Sequence, residues 1–193
     1  MLRVNHLSCQ SNYIPLGVMN LIGNKGALML KFSLYERTFS FINCHLVAGV
    51  DKGTQRCDMM GTALRGIDVQ KPQDKFEPDA SADYNFIMGD LNMRFKAKFS
   101  DFIEFVDYAK DYMKEYDELY EQRNLLNRFP GYHEEPIEFM PTYKRDSISN
   151  GVYINKKEQC PSFTDRILFK ANDRTVDVQY NKYQCRDEIY GSD

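Results

Sequence analysis

Two periods alternate along this chain, and the switches between them mark out its elements. Ala27 to Leu34 (ALMLKFSL) and Thr38 to Leu46 (TFSFINCHL) partly alternate and are rich in Phe, Ile and Leu. They predict two buried strands around the polar turn Tyr35-Glu36-Arg37. Asp51 to Val69 is polar, but Met59, Ala63 and Ile67 recur as on one face of a helix. Lys71 to Asp83 carries Pro, Asp and Ser and reads as a loop. Tyr84 to Met88 is a short apolar strand that runs into Gly89-Asp90. Helical stretches are expected near Phe99 to Tyr108 and Asp111 to Asn127, with Pro130-Gly131 as the stop. From Pro136 the chain is loop-rich, with short strands expected at Ser162 to Phe169 and Thr175 to Tyr180. Strands alternating with helices, then more strands, predict a layered α/β or α+β domain without fixing its topology. No internal repeat interrupts it.

Length changes this picture little: 193 residues suit one domain with one core. Net charge changes it more. A balance of −3 argues against a general nucleic-acid binder, so positive charge meant for a polyanion must be focused locally. Basic residues do cluster near the motifs below: Lys25, Arg94, Lys144, Arg145, Lys156, Lys157, Arg166 and Lys170. No apolar run reaches the roughly 18–20 residues of a membrane span, and the first residues do not resemble a signal peptide. The expectation is a soluble chain whose membrane contact, if any, is peripheral. Cys9, Cys44, Cys57, Cys160 and Cys185 are scattered without a C-x-x-C pair, which fits reduced cytosolic thiols better than disulfides or zinc.

Four segments carry candidate chemistry. His45 ends a strand, where packing can hold a side chain rigid beside a cleft; alone, such a histidine is more often a satisfied, partly buried residue. Tyr84 to Asn92 (YNFIMGDLN) delivers Gly, Asp, a spacer and Asn at a strand exit. A carboxylate and an amide spaced so could converge on one water or phosphate oxygen, or merely close an Asx turn. In Pro161 to Phe169 (PSFTDRILF), Asp165-Arg166 could be a structural ion pair, or Asp165 could orient a catalytic histidine. Gly23-Asn24-Lys25-Gly26 and Pro141-Thr142-Tyr143-Lys144-Arg145 are turns whose donors and cations could meet an anion; solvated loops are the commoner meaning of such turns.

In order, these segments resemble the inositol polyphosphate 5-phosphatase family. The resemblance rests on GNKGA at Gly23 to Ala27, N-x-H-L at Asn43 to Leu46 and Gln55-Arg56-Cys57-Asp58. It continues through GDLN-x-R at Gly89 to Arg94, PTYK at Pro141 to Lys144, and PS-x-x-DRIL at Pro161 to Leu168, and Gly191-Ser192-Asp193 looks like the start of the family's S-D-H signature. The resemblance implies a DNase I-like four-layered α/β sandwich, incomplete at both ends, with residues 1–193 as part of one catalytic domain. It implies Mg²⁺-dependent hydrolysis of the 5-phosphate of phosphoinositides or soluble inositol polyphosphates, at a cytoplasmic site peripheral to membranes. By the same resemblance Asp90 is the general base, Asn92 holds the water or a phosphate oxygen, and His45 contacts the scissile phosphate. Asp165 orients a histidine expected just after Asp193. Asn24, Lys25, Arg94, Tyr143, Lys144, Lys157 and Arg166 bind substrate, and Asp193 touches the metal, whose main glutamate ligand is expected upstream of Met1.

Departures from the family pattern are Phe163 for tryptophan, Thr164 for cysteine, Met93 for tyrosine, and Gln159 where lipid-active members carry a base. The expectation is that these residues alone catalyse poorly and bind metal weakly. Two other readings remain open: a nuclease-like relative of the same fold, and a phosphoinositide-binding or scaffold module without catalysis.

Overall fold

The computed structural model describes residues 9–17, 24–65, 82–104, 115–146, 153–154, 158–172, 178 and 180–186. Its centre is a five-stranded sheet in the order β1 (Gln10–Pro15), β2 (Gly26–Leu34), β3 (Arg37–His45), β4 (Tyr84–Asp90), β5 (Asp165–Ala171). All neighbours are antiparallel except β3 and β4, which run parallel. A parallel pair needs a crossover connection. Helix α1 (Gly53–Arg65) lies on that crossover. The short helices α2 (Phe99–Glu104) and α3 (Glu118–Tyr120) follow, the latter continuing as a π-helical turn over Glu121–Leu125.

The strands expected at Ala27 to Leu34, Thr38 to Leu46, Tyr84 to Met88 and Ser162 to Phe169 are present within a few residues. The helix of Asp51 to Val69 is trimmed to Gly53–Arg65, and β5 starts at Asp165, with Ser162 making only an isolated bridge to Tyr143. Of the strand expected at Thr175 to Tyr180, only Val178 and Tyr180 are described, and neither lies in a strand. The loop over 71–81, the end of the first predicted helix and the start of the second (105–114) lie outside the described residues. Strand β1 was not anticipated: QSNYIP is polar, closed by a proline, and occupies the sheet edge, where proline is tolerated.

Alternation sorts the strands into two faces. On one, Ile14, Ala27, Met29, Ile42, Cys44, Ile87 and Leu168 pack into a single core with Cys57, Met60 and Ala63 of α1. Each large side chain withdrawn in this way contributes about 1.5–3 kcal/mol. The other face is aromatic. Phe32 stacks on Phe41, Phe41 on Phe86 at 4.8 Å, and Phe86 contacts Phe169 at 5.1 Å. Leu28 and Leu30 remain exposed on this side. Among the described residues there is therefore one sheet with a helix on one face. A reciprocal tie fixes the parallel register: Thr38 donates its N–H (2.7 Å) and hydroxyl (2.8 Å) to Asp83 Oδ2, and Asp83 N–H returns a bond to Thr38 Oγ1.

Candidate active site

Parallel β3 and β4 end at the same edge, the usual place for ligands in an α/β sheet. There the register lines up Gly26 with His45, His45 with Asp90, and Asp90 with Asp165. The three side chains continue the aromatic face, so the row caps one end of that stripe. His45 Nε2 lies 3.5 Å from Asp90 Oδ2 and in short contact with Lys25 Nζ, at the turn before β2. Asn24 is exposed beside it.

The chain turns sharply as it leaves β4. Gly89 has φ 110°, and a Cβ there would sit 2.3 Å from Asn43 Oδ1 and 2.4 Å from the Cys44 carbonyl oxygen, so only glycine fits. Asn92 also has a left-handed φ of 51°. This folds it back onto Asp90: its N–H donates to Asp90 Oδ1 (2.9 Å) and its Nδ2 to Asp90 Oδ2 (3.0 Å) and the Leu46 carbonyl (3.0 Å). Asn92 Oδ1 accepts from Arg94 Nη2 at 2.5 Å. The amide thus clamps the carboxylate, through the Asx geometry weighed from the sequence.

Burial pushes the Asp90 carboxyl above its ordinary value, and the neighbouring Asp165 carboxylate adds to the effect. The Asn92 N–H, His45 and Arg94 oppose it without reversing it. Burial and a neighbouring like charge both favour the protonated form of a carboxyl, so the ionised group is more basic than a free carboxylate. Asp165 itself is exposed and accepts a bond from the Thr164 hydroxyl at 2.9 Å.

Beside the row lies a cavity of about 400 Å³ lined by Ala48, Gly49, Arg94, Tyr143, Lys144, Ile154, Gln159 and Cys160. Arg94 is buried, its guanidinium 4.5 Å from the Tyr143 ring centroid and its Nε bonded to the Asn92 carbonyl. Tyr143 is stitched to the segment before β5 by paired backbone bonds with Ser162. The structure therefore brings Lys25, His45, Asp90, Asn92, Asp165, Arg94, Tyr143 and Lys144 into one neighbourhood.

Arg166 does not join them, which corrects the substrate-binding role expected for it. Next to Asp165 on a strand, it points to the opposite, helix-covered face. Its side chain is 1% exposed, with Nε and Nη2 on Glu134 (both 2.6 Å) and Nη1 on Asp117 (2.9 Å). Burial disfavours its charge, but the two carboxylates outweigh burial and hold the guanidinium firmly protonated. Lys157 and Asp193 lie outside the described residues.

Sequence reasoning missed Arg56 and Glu118 as parts of this region. Arg56 is fully buried, donating from Nη1 to the Val47 and Gly49 carbonyls and from Nη2 to Glu118 Oε2. Arg56 stood in the quoted Gln55-Arg56-Cys57-Asp58 motif, whereas Glu118 sat in an acidic run indistinguishable from a solvated helix face. As for a metal, no group of three His, Cys, Asp or Glu side chains among the described residues is placed to hold one. These residues do not form a cation site by themselves.

Comparison with known proteins fits this geometry. Residues 3–193 match the family described as Endonuclease/Exonuclease/phosphatase family 2. The chain is 30% identical over 200 residues to the Danio rerio phosphatidylinositol 3,4,5-trisphosphate 5-phosphatase 2A, covering 99% of this chain and 16% of that protein. It is 32% identical over 164 residues to the human phosphatidylinositol 4,5-bisphosphate 5-phosphatase A, covering 84% of this chain and again 16% of the relative. The chain thus spans a small part of the length of these relatives. Among solved structures, the inositol polyphosphate 5-phosphatase domain of spsynaptojanin, in complex with inositol (1,4)-bisphosphate and calcium ion, superposes with a TM-score of 0.72 at 30% identity, over 85% of this chain and 47% of that one. A Cimex nitrophorin, at 21% identity and TM-score 0.61 over 84% of this chain and 53% of that one, shares the fold alone.

Proposed function

The chain belongs to the Endonuclease/Exonuclease/phosphatase family 2 and has the DNase I-like fold, and from that premise we propose that the complete protein is a Mg²⁺-dependent phosphoinositide 5-phosphatase. It removes the 5-phosphate of phosphoinositides, such as phosphatidylinositol 4,5-bisphosphate, or of soluble inositol polyphosphates. The observation that carries the reading is the row His45–Asp90–Asp165, with Lys25 on His45 and Asn92 clamped on Asp90.

In this reading Asp90 takes the proton of the attacking water, while Lys25 and His45 offer donors to the phosphoryl oxygens as negative charge grows on them. Arg94, Tyr143 and Lys144 border the cavity where the ring and its remaining phosphates bind. Asp165 raises the basicity of Asp90 and orients a partner outside the described residues. A divalent cation, Mg²⁺ in this proposal, supplies Lewis acidity when bound. A lipid substrate requires peripheral contact with a cytoplasmic membrane surface; no described helix is long and apolar enough to cross a membrane.

The test is phosphate release by the complete protein from phosphatidylinositol 4,5-bisphosphate vesicles and from soluble inositol polyphosphates, with Mg²⁺ and with chelator. The expected result is Mg²⁺-dependent release that Asp90→Asn lowers by about 10²–10⁴-fold while binding survives. Vesicle binding without phosphate release would refute the enzymatic reading, and near-parent turnover of Asp90→Asn would remove Asp90 from its role.

A further inference from the structure

Two loops must be held together for Asn92 to grip Asp90: residues 46–49 after β3 and residues 91–95 after β4. Each is anchored by the same buried ion pair. Arg56 of α1 holds the first through the carbonyls of Val47 (3.0 Å) and Gly49 (2.7 Å). Its partner Glu118 holds the second, accepting the Arg94 N–H at 3.0 Å on the same Oε2 that meets Arg56 at 2.5 Å. From those anchors the contacts run inward. Leu46 accepts from Asn92 Nδ2 on one side, Arg94 donates to Asn92 Oδ1 on the other, and both Asn92 donors end on the Asp90 carboxylate.

We infer that Arg56 and Glu118 are positioning residues, a buried strut that sets Asn92 and through it the Asp90 carboxylate for reaction. The inference rests on the phosphatase reading and extends it to residues that touch no substrate. Charge burial supplies the argument. The side chains of Arg56 and Glu118 are 0% and 3% exposed, and Arg56 Nε has no hydrogen-bond partner among the described residues, so the two side chains do not satisfy each other fully. Apolar residues of like volume at such a site are often as stabilising as the ion pair or more so. What apolar residues cannot do is fix two carbonyls and an N–H at set distances. Gly53, the first residue of α1, leaves the room: a Cβ there would lie 3.0 Å from Glu118 Oε1.

The test replaces the strut in the complete protein by apolar residues, Arg56→Met with Glu118→Leu, and follows thermal unfolding, KM, kcat for phosphate release and the NMR signal of the Asn92 side-chain amide. The inference expects a folded variant with KM near the parent, kcat lowered about 100-fold as for an ångström-scale misplacement, and a shifted Asn92 amide. A folded variant with parent kcat and an unmoved amide overturns it. Arg56→Lys decides the matter if the double variant does not fold. It keeps the charge but cannot span two carbonyls and a carboxylate, so lowered kcat at parent KM supports the strut and parent kcat overturns it. A parent protein that releases no phosphate refutes the phosphatase reading alone; the strut then stands or falls on whether the Asn92 amide moves.

Discussion

Replacing Arg166 by methionine separates a structural cation from a substrate ligand. Methionine approximates the stem of arginine, so the change removes charge and donors more than volume. It leaves Asp117 and Glu134, 1% and 4% exposed, without the cation they share. Three charge-assisted bonds of 2.6–2.9 Å go with it. Removing one partner of a buried ion pair costs about 3–5 kcal/mol, chiefly from the charge left behind. For a protein stable by about 5–15 kcal/mol, that is a large fraction without being the whole. With a urea slope of about 2 kcal/mol per molar, the unfolding midpoint falls by about 2 M. Arg166→Lys, charged but without the fork, falls between parent and methionine variant. Neutralising the exposed Arg128–Asp58 pair (3.5 Å) moves the midpoint hardly at all, since such pairs contribute about 0–1 kcal/mol. KM for inositol phosphate should be unchanged in whatever fraction of the methionine variant folds. A loss below about 1 kcal/mol together with a raised KM would refute the reasoning and restore Arg166 to the substrate site.

Three further outcomes follow from the same geometry. Gly89→Ala should destabilise by at least about 1–3 kcal/mol and depress turnover, because its Cβ would meet backbone at 2.4 Å in a left-handed conformation; urea unfolding and a phosphate-release assay read both. The acid limb of kcat/KM should lie above the ordinary carboxylate value of 3.8, because burial and then Asp165 raise Asp90; Asp165→Asn, which removes the like charge but not the burial, should move that limb to lower pH. The sign for stability agrees: a raised Asp90 favours the fold fully below its unfolded value, and that contribution is lost as pH rises through the folded value. Finally, burial pushes the thiols of Cys44 and Cys160 up to about 12 and Cys57 to about 11, so alkylation at mildly alkaline pH followed by mass spectrometry should find Cys9 modified in the native protein and these three only after unfolding.

What the sequence made legible is what local periodicity can carry. Ala27 to Leu34 could be read as a strand because it is mostly apolar, with Ala27 and Met29 in the core toward α1 and Phe32 in the aromatic stripe, though Leu28 and Leu30 stay exposed. His45 and Asp90 could be picked out because each ends an apolar run, and the parallel register that sets them side by side is pinned by Thr38 and Asp83 at the far end of the same strands. Strand β1 escaped because its pairing with β2 supplies what its own polar residues lack. The Arg56–Glu118 pair joins residues 62 apart, and no local pattern tells a carboxylate bound for the core from one on a solvated helix.

Arg166 is the instructive failure, because part of it was avoidable. Its partner Glu134 lies 32 residues earlier and could not be named from the sequence. The direction of its side chain could. Once Asp165-Arg166 is placed at the head of a strand, successive side chains must leave opposite faces, so the two residues cannot serve one site. If Asp165 stands with Asp90, as their register requires, Arg166 is committed to the face that α1 covers, and a buried arginine there needs carboxylates of its own. The strand's alternation divides the two residues of the motif: Asp165 stands in the row beside Asp90, and Arg166 is held in the core beneath it.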